Sequence, residues 1–275
     1  MGQITFYKMV ASGNDFLVID NRKHVVKDAK AFAANVCRPH VSVGADGVLL
    51  IEPSKKADFF IRIINSDGSE AEACGNGYRC VGLYAHELLG FPKSMRVETL
   101  SGDVKIDVNS KTIKVKMTDP SGYRPKIEIQ NLPAGSPSAP RALSAAFINT
   151  GVPHVVIFTE GLEQVAVTEL GRAIRRHEMF KPKGTNVNFA EVTGENASSL
   201  RTYERGVENE TLACGTGTVA VALVANLTGR VNAPVHVKTR SGEILKVHFE
   251  RSGSKVSNVY LEGSARFVFE GRLEV

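Results

Sequence analysis

Apolar residues recur in short runs along most of the chain, and one longer segment in each half departs from that rhythm. Phe59 to Ile64 and Val155 to Phe158 are rich in β-branched and aromatic residues over strand-like lengths, which predicts strands. Tyr78 to Leu89 and Thr218 to Leu227 are long enough for helices, and Gly90 and Gly229 stand where a helix C-terminus favours glycine. Within the second helix, Val219 to Ala225 is apolar on every side. Such a helix has no face to give to water, so strands are expected to wrap around it.

The chain also repeats itself. Ala73-Cys74-Gly75-Asn76-Gly77 and Ala213-Cys214-Gly215-Thr216-Gly217 share A-C-G-x-G at a spacing of 140 residues. Val97 to Asp103 and Val237 to Glu243 share V-x-T-x-S-G-acid at the same spacing. Gly44 to Leu49 faces Gly184 to Phe189, again 140 apart, and Gly13 to Ile19 faces Gly151 to Ile157 at 138. Chance does not hold one spacing through collinear blocks, so the chain reads as a duplicated domain. The expected fold class is α+β: two similar domains related by pseudo-two-fold symmetry, each with β-strands around a central apolar helix. The stretch Asp119 to Arg141, with Pro120, Pro125, Pro133, Pro137 and Pro140, reads as the connection, with the boundary near its start. The expected halves are 1–117 and 118–263, with a last strand over 264–275 returning to the first.

Composition narrows the function classes. The 275 residues are 43% hydrophobic and 23% charged, an ordinary globular balance that excludes disorder and fibrous structure. Residues Met1 to Asp20 have no basic segment followed by an apolar stretch, and the longest apolar run falls far short of the roughly 18 residues needed to span a bilayer. A cytoplasmic protein without membrane association is expected. The net charge of +5 is spread along the chain. Lys55-Lys56 and Arg172 with Arg175-Arg176 lack interleaved aromatics and read as solvated faces, so no nucleic acid is expected as partner. Four cysteines without a secretory signal read as thiols, and with no C-x-x-C, and only Cys37 and His40 close together, no metal site is expected.

Chemistry then converges on Cys74 and Cys214. A cysteine at a helix start lies near unsatisfied N–H groups and the positive end of the helix dipole, which lower a thiol pKa. Glycines in the same turn let backbone N–H groups approach an anion such as an α-carboxylate. Pseudo-two-fold symmetry would bring the two cysteines to opposite sides of one cleft. Two single-proton groups so placed suit inversion of a stereocentre, one sulfur removing a proton as thiolate and the other returning one as thiol. Cys37 and Cys80 have no repeat counterpart and read as small core hydrophobes.

Asn65-x-Asp67-Gly68-Ser69 running into Ala73-Cys74-Gly75-Asn76-Gly77-Tyr78-Arg79-Cys80, Glu204-Arg205-Gly206 running into the second cysteine motif, and Ser12 to Phe16 together resemble the diaminopimelate epimerases over nearly the whole chain. The resemblance implies interconversion of LL- and meso-diaminopimelate for lysine and cell-wall synthesis, no cofactor such as pyridoxal phosphate, and a homodimer. It makes Cys74 and Cys214 the acid/base residues, with Gly75, Asn76, Gly215 and Thr216 holding the α-carboxylate and amino group. Asn14, Asn65, Asn186, Glu204 and Arg205 would contact the substrate, Arg205 through its distal carboxylate, while His154 and Glu204 support the reacting centre.

Three positions depart from the family pattern: Val152 and Gly47 replace the Asn and Gln of some members, and Val207 to Thr211 is one residue longer. The residues leave open a two-cysteine racemase of another amino acid, such as proline, hydroxyproline or histidine. A non-catalytic binding or thiol-redox protein also remains open.

Overall fold

The computed structural model describes residues 2–110, 112–132 and 142–274, which divide into two compact units, Met1–Lys116 with Glu262–Val275 and Met117–Leu261. The first unit runs β1 (Gln3–Ala11), β2 (Asn14–Asp20), α1 (Ala29–Val36), β3 (Gly47–Glu52), β4 (Phe59–Asn65), β5 (Glu70–Ala71), α2 (Gly75–Leu89), β6 (Ser94–Thr99), β7 (Gly102–Val108) and β8 (Ile113–Lys116). The second opens with β9 (Ser121–Ile129) and then repeats that order: β10 (Leu143–Asn149), β11 (Pro153–Phe158), α3 (Val167–Arg175), β12 (Asn186–Gly194), β13 (Ala197–Glu204), β14 (Asn209–Thr211), α4 (Gly215–Leu227), β15 (Val235–Lys238), β16 (Ile244–Ser252) and β17 (Lys255–Gly263). A last strand, β18 (Arg266–Glu274), pairs antiparallel with β1.

Strand pairing repeats as well. In the first unit β1–β2 is an antiparallel hairpin, β2–β3 is parallel across the α1 crossover, and β3–β4 is antiparallel. The second unit has the same sequence of pairings in β10–β11, β11–β12 across α3, and β12–β13. The repeated glycines mark the turns that make this possible: matched pairs Gly13 and Gly151, Gly44 and Gly184, and Gly102 and Gly242 all hold positive φ, a region other residues enter at a cost.

Helix α4 is the core of its unit. Val219 through Ala225 are wholly buried against Ala146 and Ile148 of β10, Val156 of β11, Leu200 of β13, Val237 of β15 and Leu245 of β16, so strands surround the helix. Helix α2 likewise packs against β1, β2, β3, β7 and β8. Its last turn emerges at the exposed Leu88 and ends at Gly90 in the left-handed conformation.

Two expectations are corrected here. Both helices start earlier than their apolar patterns, at Gly75 and Gly215, so the glycine turns are the first helical turns and each cysteine is the N-cap residue. Propensity hid this, because glycine is among the poorest helix formers. The second correction concerns Asp119 to Arg141, where Ser121–Ile129 is strand β9, paired with β10. Its Pro125 lies where the register shifts opposite Ala145 to Phe147, the irregular position at which a strand tolerates a residue without an N–H. Pro133, Pro137, Pro140 and Arg141 lie outside the described residues.

Candidate active site

In the first unit the cysteine turn is built on α2. Cys74 is half-buried, with extended N-cap geometry, and its Sγ accepts from the Gly77 N–H at 3.4 Å. Behind it runs a relay of amides. Asp46 Oδ2 accepts from Asn14 Nδ2 at 2.8 Å, and Asn14 Oδ1 accepts from Asn76 Nδ2 at 2.6 Å. Asn76 Oδ1 accepts from Arg79 Nη2 at 2.7 Å. Arg79, fully buried, also donates to Ser12 Oγ at 2.6 Å and to the Ser264 carbonyl at 2.8 Å. The Asn76 side chain thus faces inward, and the first-turn backbone at Gly75 and Asn76 is what remains to meet an anion. Asn65 is exposed at the end of β4, its amide donating to Ser69 Oγ at 2.9 Å.

In the second unit Cys214 caps α4 and is buried, its Sγ 3.5 Å from Thr216 Oγ1. The Thr216 carbonyl accepts from Thr150 Oγ1 at 3.0 Å, so Thr150 ties the β10–β11 turn to the helix start. Burial pushes the Cys214 thiol far up, the Glu204 charge adds to the rise, and the Thr216 hydroxyl only partly offsets it. This reverses the expectation of a lowered thiol: at this helix start desolvation outweighs the dipole, and Cys214 rests as a protonated thiol. Burial also raises the Glu204 carboxyl, against hydrogen bonds with Thr211 and Cys214.

Glu204 closes β13 and Arg205 opens the turn that follows, where the Arg205 backbone N–H donates to Asn186 Oδ1 at 2.8 Å and so joins two of the residues that the motifs single out. The Arg205 guanidinium donates to the Lys183 carbonyl at 3.2 Å. Arg175, expected on a solvated face, instead lies partly buried and pairs with Glu208 at 2.9 Å, bracing the loop after Arg205.

His154 is fully buried on β11. Desolvation, with the Arg205 charge second, brings its pKa down to about 3, so it is neutral at working pH. Its Nδ1 lies 3.0 Å from Asn188 Nδ2.

The motifs give no site role to Asn188, Thr202, Thr150, Arg79 or Asp46. A signal existed for Asn188: Asn186 and Asn188 are two apart on one strand, a spacing that places both amides on one face. Of the two departures mapped by single residues, Gly47 has a structural cause, since a β-carbon there would lie 2.6 Å from the Ile64 carbonyl oxygen on β4. Val152 sits half-buried in the turn before Pro153, its carbonyl accepting from the Thr150 N–H at 3.1 Å. Cys37 and Cys80 are both buried, Cys37 among the residues of one apolar cluster.

The family model described as diaminopimelate epimerase matches residues 6–122 and 146–268. A diaminopimelate epimerase of Aquifex aeolicus is 46% identical over 98% of this chain and 97% of its own length. Among solved structures, a phenazine biosynthesis protein of the PhzF family from Bacillus anthracis superposes with a TM-score of 0.73 at 16% identity, covering 100% of both chains. A hydroxyproline epimerase from Agrobacterium vitis superposes with a TM-score of 0.68 at 14% identity, covering 98% of this chain and 92% of that one. At those identities the structural likeness concerns the fold alone.

Proposed function

The chain belongs to the diaminopimelate epimerase family, and on that premise we propose that it interconverts LL- and meso-diaminopimelate by two-base proton transfer between Cys74 and Cys214. The observation that carries the reading is the same device in each unit, a cysteine at the N-cap of a helix whose first turn is G-x-G.

In one direction the Cys74 sulfur, as thiolate, takes the α-proton, forming S–H and leaving the electron pair on the α-carbon. The Cys214 thiol gives its proton to the opposite face of that carbon and becomes the thiolate. In the reverse direction the roles exchange. The protonated resting state of Cys214 suits it to act as the acid first. Negative charge developing on the carbanion spreads into the α-carboxylate, where N–H groups at the starts of α2 and α4 stabilise it without reorganising. Arg205 suits the distal carboxylate, since a guanidinium binds one bidentately. Asn14, Asn65 and Asn186 complete the proposed contacts. The reading includes cofactor-free chemistry and a cytoplasmic homodimer, the latter checked by light scattering of the purified protein.

A second reading, epimerisation of a different amino acid, is favoured by Val152, which cannot offer the amide of an Asn there. One experiment separates the two. LL-diaminopimelate in deuterium oxide is expected to yield the meso form carrying one deuterium at the inverted carbon, with early unreacted substrate unlabelled. Absence of turnover, together with label entering proline or hydroxyproline, would replace the first reading by the second.

A further inference from the structure

Asn188 lies on β12 between two strands that both engage its side chain. It stands in register with Val156 of β11 and with Thr202 of β13. Its Nδ2 donates to the Val155 carbonyl at 2.8 Å, and its Oδ1 accepts from Thr202 Oγ1 at 3.0 Å. A backbone carbonyl only accepts, so the bond to Val155 dictates which end of the amide is nitrogen. The same nitrogen lies 3.0 Å from His154 Nδ1, and an amide nitrogen only donates. Nδ1 must therefore carry the lone pair, which leaves the imidazole proton on Nε2.

That Nε2 is buried and has no hydrogen-bond partner in the described structure. A buried donor left unpaired is costly and rare, so this one calls for an acceptor that the described residues do not supply. The network also abuts the second cysteine turn: a β-carbon on Gly217 would lie 2.5 Å from Asn188 Oδ1 and 3.3 Å from Cys214 Sγ.

The geometry points to Asn188 as a positioning residue, whose amide, oriented by the Val155 carbonyl and Thr202, locks His154 as the neutral Nε2–H tautomer that donates to an acceptor oxygen of the bound amino acid. This rests on the epimerase reading for the identity of the acceptor, but not for the tautomer. His154 then works as a fixed hydrogen-bond donor, strengthening its bond as the substrate gathers negative charge, and moves no proton of its own.

The test is the ¹⁵N spectrum of the histidine rings in the uniformly labelled resting protein, with His154 assigned among the seven histidines by its loss in His154→Gln. The nitrogen coupled to both carbon-bound ring protons, Nε2, is expected to be pyrrole-like, and Nδ1 pyridine-like. In Asn188→Asp the carboxylate accepts where the amide donated, so the proton moves to Nδ1. kcat on diaminopimelate then falls by about 10²–10³, as for loss of one preorganised donor, while KM changes little. A pyrrole-like Nδ1 or a doubly protonated ring in the unmodified protein would overturn the inference. So would Asn188→Asp with the proton still on Nε2 and kcat unchanged. If Asn188→Asp does not fold, the spectrum of the unmodified protein still decides. A correct tautomer in a protein without turnover would count against the epimerase reading alone.

Discussion

Gly217→Ala probes how tightly the second cysteine turn is packed. Helix propensity argues that alanine in the first turn of α4 should stabilise the protein, by up to about 1 kcal/mol. The structure argues the opposite. The new β-carbon would sit 2.5 Å from Asn188 Oδ1, well inside van der Waals contact, so one of the two must move. Cys214 Cβ and Sγ, both at 3.3 Å, close the alternative direction. Asn188 cannot yield without lengthening its bonds to Thr202, Val155 and His154. Each of those groups is buried, and leaving one unsatisfied costs about 1–3 kcal/mol. The net expectation is a loss of up to about 2 kcal/mol once a helix gain of about 1 kcal/mol is subtracted. Read by urea denaturation, that appears as a lower midpoint with unchanged slope. Gly77→Ala is the matched control, because its β-carbon would meet Leu49 Cδ2 at 3.2 Å and the Cys74 side chain at 3.5 Å or more, contacts that small shifts relieve. A Gly217→Ala protein more stable than the original, with undiminished turnover, would refute the packing argument.

Other consequences are equally direct. Cys74→Ser and Cys214→Ser should each abolish epimerisation, since a hydroxyl is far less acidic than a thiol and a two-base transfer needs both; chiral chromatography of the products reads this. His154 titrates near 3 when folded against about 6.5 when unfolded, so the unfolded chain binds the extra proton below pH 6.5. Its contribution to stability is therefore present above about 6.5 and is lost as pH falls towards 3, at up to about 1.4 kcal/mol per pH unit. Denaturation midpoints measured across that range should fall less steeply in His154→Leu. Leu223→Ala, in the wrapped segment of α4, should cost about 2–5 kcal/mol, while Leu88→Ala at the exposed end of α2 should cost under about 0.5 kcal/mol; thermal unfolding compares the two.

Much of the architecture was legible because it rests on local rules. The apolar run Val219 to Ala225 can only be a buried helix, and it is buried on all sides. Gly44 and Gly184, and Gly102 and Gly242, each 140 apart, mark positive-φ turns in both units, a conformation that other residues enter at a cost. Both helices begin three residues before the starts that their apolar patterns predict, for a local reason too. Glycine scores poorly as a helix former, but at the N-terminus its small size lets a cap and close neighbours fit.

The sequence by itself determined the duplication and the helix cores, and nominated the two cysteines, because each depends on spacing or on the intrinsic properties of a residue. Only the tertiary structure decided how those groups behave. Cys214 stands at a helix start, which favours the thiolate, yet burial and Glu204 raise its pKa, and desolvation energies depend on what surrounds a group rather than on its neighbours in sequence. Arg175 looked like a solvated charge until the fold brought Glu208 to it. Asn188 carried no motif, and its significance comes from strand register, which places it between His154 and Thr202 and so settles where the imidazole proton resides.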